Sequence, residues 1–362
     1  MKKTIIILSG NHNLKANKEL SEEIKKSGYN PIILDPLRLQ IYLSSRNNWD
    51  IIYDNYTEQP KRLIKNNISA ILPRIGKGLN YGAFIVEQFN KNFGIYTPQT
   101  ANALLNASNK MRTLQYCSNA GLRVPKTIFI RNKTDIDFVM SKLGLPVILK
   151  TVSGSQGSGV SILDTKRALK SVIDTLLKDK KPIILEEFIG DGTDIRAIVV
   201  GNEVVASQIR RNSDKDEFRA NLSLGGTAKK TELNKNIRDF CVNASKATGL
   251  EVSGVDIMFD KEKNPVVVEV NSNFGWKIRK VTGINIAQHI VNYVVEQISL
   301  TDKPLLKNPY KIFDNSSYLN FAYKKVKGKT LDYTNREGIK QSKRINNISD
   351  LYQIIENTVN IV

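Results

Sequence analysis

The stretch GVDIMFDKEKNPVVVEVN, residues 254–271, reads as a strand, a turn and a second strand. Two apolar runs flank the charged segment from Asp260 to Asn264, which Pro265 closes, and that pattern specifies a hairpin. Side chains alternate across a strand, so Glu269 and Asn271 share a face while Val270 points to the other. The turn brings Asp256 alongside them. Two carboxylates and an amide oxygen in one place form an oxygen-only donor set. Such a set suits a hard cation such as Mg2+ when a nucleotide supplies the remaining ligands. A solvated edge hairpin would carry the same acids, and for this stretch alone both readings stay open.

Upstream, the apolar run from Leu145 to Leu149 ends in Lys150 and leads into Ser153-Gly154-Ser155-Gln156-Gly157-Ser158-Gly159. Loops rich in glycine and hydroxyls let backbone N–H groups approach phosphates closely. A lysine at the end of the preceding strand adds a point charge to the same phosphates. The pattern is not a P-loop, because no Gly-Lys-Ser/Thr closes it into a helix, and it is not a GxGxxG dinucleotide fingerprint. By itself it also fits a plain hairpin loop. Followed downstream by Asp256, Glu269 and Asn271, it points to a nucleotide and a divalent cation.

The order of motifs along the chain resembles the ATP-grasp superfamily, and within it the RimK-type amino-acid ligases. The likeness runs from near the start of the chain to about Ile298. It is carried by Pro73-Arg74-Ile75-Gly76, Asn109-Lys110-Met111-Arg112, Leu149-Lys150 and the glycine-rich loop. Further on come Leu185-Glu186-Glu187-Phe188-Ile189, Asp194-Ile195-Arg196, Arg210-Arg211, Glu217-Phe218-Arg219-Ala220-Asn221-Leu222, Gly225-Gly226 and the Asp256, Glu269, Asn271 set. Several of these are commonplace singly, but their joint order and spacing are specific.

The resemblance implies a mixed α/β and α+β chain with an ATP-grasp fold. A parallel-sheet pre-ATP-grasp domain would occupy 1–98, a first lobe with the glycine-rich lid 99–185, and a second lobe with the metal site 186–300. A small basic extension, 301–362, completes the chain. The implied activity is that of an ATP-dependent carboxylate–amine ligase, which forms an amide through an acyl phosphate. Glutamate is the favoured amino acid, and a peptide, a protein or a small molecule the acceptor. Lys110, Lys150, Ser153, Gly154, Ser155, Gln156, Gly157, Arg219 and Asn221 would line the nucleotide phosphates, with Lys150 and Arg219 as the catalytic groups. The backbone at Glu187 and Phe188 would meet the adenine edge, and Asp194 the ribose. Asp256, Glu269 and Asn271 would hold Mg2+, with Mn2+ an acceptable substitute and two ions expected. Arg196 and Asn273 would face the substrates.

Arg210, Arg211 and Arg219 crowd into a short span, and guanidinium groups so close repel one another unless anions lie between them. This adds Arg210 and Arg211 to the candidate substrate contacts; an exposed basic loop countered by Asp214, Asp216 and Glu217 is the other reading.

Composition fits a soluble cytoplasmic enzyme. Of 362 residues, 41% are hydrophobic and 25% charged, which is globular and leaves room for two or three compact units. No apolar run approaches the roughly 18 residues of a membrane span. Cys117 and Cys241 are far apart and read as free core thiols of a reducing compartment. His12 and His289 have no ligand-like spacing. The formal net charge of +19 is partly a compositional bias toward lysine, and otherwise fits an enzyme that handles ATP, glutamate and an acidic acceptor. A basic nucleic-acid-binding protein is the reading that charge alone would allow, but no recognisable module supports it. A non-catalytic ATP-binding interaction protein on the same fold is the other alternative, against which the complete donor set argues. Assembly as a homo-oligomer stays open.

The first domain alternates strands and helices. Strands are expected at 4–8, 31–34, 51–53 and 70–72, and helices at 16–27 and 81–92, in a parallel sheet covered on both faces. Loops at the carboxyl ends of such strands are where ligands sit, which makes Arg74 a candidate to hold a substrate carboxylate. Beyond the nucleotide motifs, Thr134 is expected to cap a helix through Met140. Two features depart from the family. After the metal asparagine, Ser272-Asn273-Phe274-Gly275-Trp276 replaces a commoner small residue, Ser, Pro and Gly, in a loop that the resemblance places beside the acceptor site. The extension gathers basic residues between Lys324 and Arg344, interleaved with tyrosines, for acceptor recognition, oligomer contact or bracing.

Overall fold

The computed structural model describes residues 3–43, 49–54, 61–63, 67–152, 159–179, 182–190, 192–211, 227–302, 327–334, 340–347, 350 and 354. The chain divides into one compact unit, Met1–Ile298, and a second, Ser299–Val362.

The first unit opens with β1 (Thr4–Leu8), α1 (Lys15–Lys26) and β2 (Asn30–Leu34). Burial of Ala16, Leu20, Glu23 and Ile24 follows the helical period on α1, Lys25 and Lys26 complement its C-terminal dipole, and Gly28 beyond it takes a φ of +87°. Then come β3 (Leu39–Leu43), β4 (Trp49–Tyr53), β5 (Lys61–Arg62), β6 (Ile68–Pro73) and α2 (Leu79–Glu87). The parallel sheet has three strands in the order β2-β1-β6. Ile5 and Ile7 face Leu20 and Ile24 on one side. Ile6 and Leu8 face Ile85, Val86 and Phe89 on the other. Helices therefore cover both faces, as the alternation indicates. The strand at Ile51–Tyr53 is a correction. It belongs to a separate antiparallel sheet, β3-β4-β5, because a hydrophobic run fixes a strand but not its partner.

The next segment carries α3 (Ala101–Ser108), α4 (Lys110–Asn119), β7 (Thr127–Ile130), α5 (Ile136–Leu143), β8 (Val147–Thr151), β9 (Val160–Leu163), α6 (Lys166–Leu176) and β10 (Ile183–Glu187). Its antiparallel sheet runs β7-β10-β8-β9, and one face packs Val147, Leu149 and Leu185 against Val139 of α5 and Leu169 and Ile173 of α6. Asn109 caps α4 by accepting from the Arg112 N–H at 3.1 Å. Before α5 the cap is Asp135, which accepts from the Asp137 N–H at 2.9 Å, and not Thr134; the neighbouring carboxylate outcompetes the hydroxyl.

A third group comprises β11 (Thr193–Val200), β12 (Glu203–Arg211), β13 (Thr227–Lys230), α7 (Lys235–Ala247), β14 (Val252–Phe259), β15 (Pro265–Asn271), α8 (Ile278–Thr282) and α9 (Ile286–Asp302). The antiparallel sheet order is β13-β12-β11-β14-β15. One face, with Ile195, Ala197, Val199, Val255, Ile257 and Val270, packs with Cys241 and Ala244 of α7. The other face is divided. Ile198, Val200 and Val252 at one end join the core shared with β1, α1 and α9. The opposite end is polar and holds the candidate site.

The second unit contains the antiparallel hairpin β16 (Thr330–Thr334) and β17 (Lys340–Arg344). Lys340 and Arg344 are exposed, as are Lys327 and Lys329 before them. The basic residues Lys324, Lys325 and Arg336 lie outside the described residues. Among the described residues, no helix is long and apolar enough to cross a membrane.

Candidate active site

The decisive hairpin forms as its sequence indicates. Asp260 N–H donates to Asn264 O at 3.1 Å, and Asn264 N–H donates to Asp260 Oδ1 at 2.8 Å. The register sets Gly254 opposite Asn271 and Asp256 opposite Glu269, with an irregularity between Asp256 and Ile257. One residue of β15 is thereby left over beside the acids, and bulges of this kind re-aim side chains next to sites. Gly254 is required here: a Cβ would stand 2.7 Å from the Cβ of Phe274.

Cross-strand pairing extends the polar row. Arg196 of β11 lies opposite both Asp256 and Gln208, and Asp194 lies opposite Arg210. Positions 194 and 196 share a face, so Arg210, Asp194, Arg196, Asp256, Glu269 and Asn271 converge on one side of the sheet. Arg196 grips Asp256 through two bonds, Nε to Oδ1 at 2.7 Å and Nη2 to Oδ2 at 2.6 Å. Arg210 grips Asp194 at 2.5 and 2.7 Å and reaches Asp256 Oδ2 at 3.2 Å. Sequence reasoning expects Arg196 and Arg210 to await external anions. In the structure these two arginines hold the chain's own Asp194 and Asp256. That pairing is non-local and leaves no signal in the local sequence. Arg211 is exposed, and its Nε donates to Thr193 Oγ1 at 2.9 Å.

Electrostatics separates the two aspartates. Burial raises Asp194 to about 6, with Arg210 pulling the other way. Burial also pushes Asp256 upward, but Arg196 and Arg210 together outweigh it and hold that carboxyl below its ordinary range. Asp256 is thus ionised and 5% exposed.

Lys110, at the first turn of α4, places its Nζ 3.9 Å from Glu269, and its N–H meets Val152 O at 3.4 Å. It therefore links the end of β8 to the acids of β15. Lys150 donates to Glu186 Oε2 at 2.6 Å, a buried pair whose other acceptor, Glu186 Oε1, has no partner. Glu187 turns its side chain back to the Lys126 N–H at 2.8 Å, and its own N–H donates to Lys126 O. Ser153, Gly154, Ser155, Gln156, Gly157, Arg219 and Asn221 lie outside the described residues. Gly159, which closes the loop, has a φ of +77°, and a Cβ there would meet Thr151 Oγ1 at 2.5 Å.

Asp256, Glu269 and Asn271 fit a hard cation. Asp256 Oδ1 accepts only the Arg196 Nε bond among those described and keeps a lone pair, and the Glu269 side chain is 32% exposed. Among the described residues no three His, Cys, Asp or Glu form a cage. Mg2+ binds through one or two carboxylates and takes the rest of its shell from phosphates and water.

Arg74 and Asn273 each tie the segment after β6 to the loop after β15. Asn273 Nδ2 donates to Ile75 O at 3.4 Å, and Arg74 Nη2 donates to Phe274 O at 3.3 Å. Phe274 and Trp276, which sequence reasoning treats only as departures, stack on each other under the Arg74 guanidinium.

Comparison with known proteins gives a consistent picture. Residues 107–294 match the model of the RimK-like ATP-grasp domain, and residues 3–104 that of the RimK PreATP-grasp domain. A probable alpha-L-glutamate ligase of Vibrio atlanticus (strain LGP32) is 37% identical over 295 residues, covering 80% of this chain and 94% of the relative. One from Xanthomonas campestris pv. campestris (strain B100) is 34% identical over 299 residues, 81% of this chain and 99% of its own length. Among solved structures, the ATP-grasp ligase PsnB complexed with a minimal precursor aligns with a TM-score of 0.63 at 18% identity, over 82% of this chain and all of that one (100%). The macrocyclase MdnC of Microcystis aeruginosa MRC, bound with precursor peptide MdnA, aligns with a TM-score of 0.62 at 16% identity, over 81% and 99%. At those identities the structural likeness shows the fold.

Proposed function

Because this chain belongs to the RimK-like ATP-grasp family and is an ATP-dependent ligase, we propose that it joins an amino acid, glutamate above all, to the carboxylate of a peptide, protein or small-molecule acceptor. The observation that carries the reading is the row Asp194, Arg196, Asp256, Glu269 and Asn271 on one sheet face, with Lys110 3.9 Å from Glu269. The names of the curated relatives support glutamate.

Phosphoryl transfer to a carboxylate brings two anions together, so catalysis depends on positioned positive charge. Lys110 at the start of α4 and Lys150 on β8 would supply it. Glu186 anchors the Lys150 ammonium at a fixed point, and Arg196 and Arg210 hold Asp256 ionised. Asp256, Glu269 and Asn271 would bind Mg2+, one ion or two, which offsets charge on the phosphate oxygens. The amide forms when the amino acid's amine displaces phosphate from the acyl phosphate. Two buried free thiols, Cys117 and Cys241, support a reducing cytoplasmic setting.

The test is ADP release by the full chain with ATP and Mg2+ across a panel of amino acids and carboxylate acceptors, with product masses read directly. The reading expects a product heavier than the acceptor by one or more amino-acid residues, with ADP formed in step. ADP release indifferent to every amino acid would refute it.

A further inference from the structure

Arg74 is 9% exposed and follows β6 directly. Its guanidinium carbon lies 5.3 Å from the centre of the Phe274 ring and 5.1 Å from that of Trp276, and the two rings stack at 5.9 Å with 8° between their planes. One nitrogen, Nη2, donates to Phe274 O, while Nε is buried with no acceptor. Among the described residues no carboxylate pairs with it, whereas Arg196 and Arg279 each have one and Arg210 has two. Burying a cation without a counter-ion is costly, and aromatic faces offset only part of that cost. Burial brings its pKa to about 10, so the group stays charged near neutrality.

The surroundings fix the guanidinium. Arg74 N–H donates to Leu8 O at 2.8 Å, which sets the residue at the carboxyl ends of β1 and β6. In the order β2-β1-β6 the chain leaves β1 in opposite directions, and crevices at such switch points take ligands. Trp276 Nε1 donates to Glu19 of α1, and the same carboxylate pairs with Arg279. The second aromatic wall is thus pinned to the first domain. The loop that carries Phe274 and Trp276 follows Asn271 at once in sequence, so a substrate bound at the acids has Arg74 across that loop.

Resting on the ligase reading above, we propose that Arg74, clipped by Phe274 and Trp276, is the anchor for a carboxylate of the amino-acid substrate that does not react. The chemistry selects this substrate. The acceptor's carboxylate is consumed in the reaction, whereas the amine donor keeps its own from start to finish. A guanidinium held by two rings and a backbone bond suits a group whose geometry never changes. The unpaired Nε offers half of a planar fork for a carboxylate. Glu19 is a positioning residue that acts through Trp276.

The test is calorimetric titration of the full chain, saturated with a non-hydrolysable ATP analogue and Mg2+, with glutamate, glutamine and glutamate α-amide. Arg74→Lys should weaken glutamate binding at least tenfold and leave binding of the ATP analogue unchanged. One of the two amides should bind the native chain more weakly by a similar factor and lose nothing further in Arg74→Lys; which one identifies the carboxylate held. Trp276→Leu, which retains the arginine but removes a wall, should weaken glutamate several-fold, and Glu19→Gln should do so less. Three ligands bound equally by the native chain, or Arg74→Lys binding glutamate as the native chain does, would overturn the proposal while ADP release still tests the ligase reading. Native chain that binds none of the three overturns it too.

Discussion

Asp256 sits almost out of water between two guanidinium groups, and this decides what its removal would do. Asp256→Asn leaves Arg196 and Arg210 buried with one carboxylate, Asp194, between them. Breaking a buried pair on one side costs about 3–5 kcal/mol, so this variant should be markedly easier to unfold in urea as well as inactive. Glu269, with its side chain 32% exposed, has no such double duty. Asp194 carries a pH signature. Burial raises it to about 6 from the ordinary 3.8, so the folded chain holds its proton more tightly than the unfolded chain. Its stabilising contribution is therefore complete below about pH 3.8 and is lost as pH rises through about 6. Asp256 has the opposite sign, its contribution being lost only as pH falls. Melting temperatures at pH 5 and pH 7.5 should show Asp194→Asn gaining on the native chain at the higher pH; a constant gap would contradict the assignment. The shared face of Glu269 and Asn271 was legible from alternation along β15. The arginine grips on Asp194 and Asp256 were not, because cross-strand partners sixteen to sixty positions away are chosen by register, which local sequence does not encode.

At the scale of elements, the hairpin β14–β15 places the site, and its least tolerant point is Gly254. Adding a Cβ there sets two carbons 2.7 Å apart and forces Phe274 to move. Gly254→Ala should cost about 1–3 kcal/mol in urea unfolding and disturb the loop that carries the Arg74 clip. An unchanged denaturation midpoint would show that the loop yields freely. Hairpin and helix periods were readable because they repeat within a few residues: Leu20 and Ile24 mark α1, and Asp260 with Asn264 marks the turn. What failed was choice between near equals. Asp135 caps α5 in place of its neighbour Thr134, and Ile51–Tyr53 pairs with β3 and β5 instead of joining β1.

For the whole molecule, the compact unit Met1–Ile298 contains every described residue of the candidate site, and α9 ends at Asp302. A chain ending after Asp302 should fold and bind ATP with native affinity. If the extension recognises an acidic acceptor, acceptor affinity of the full chain should fall with added salt, and the truncated chain should lose most of that dependence. Loss of ATP affinity on truncation would instead mark the extension as a brace. The family was legible through the order of its motifs; the extension, which neither family model covers, was legible only as charge.

We propose that the polar row on the β13-β12-β11-β14-β15 sheet serves ATP-dependent ligation. The most direct measurement is amino-acid-dependent ADP release by Glu269→Gln beside the native chain, with melting curves to show that both are folded. Glu269→Gln should keep a native melting curve and run slower by roughly a hundredfold or more, since a group that stabilises developing charge is lost. A folded Glu269→Gln that releases ADP at the native rate would contradict it.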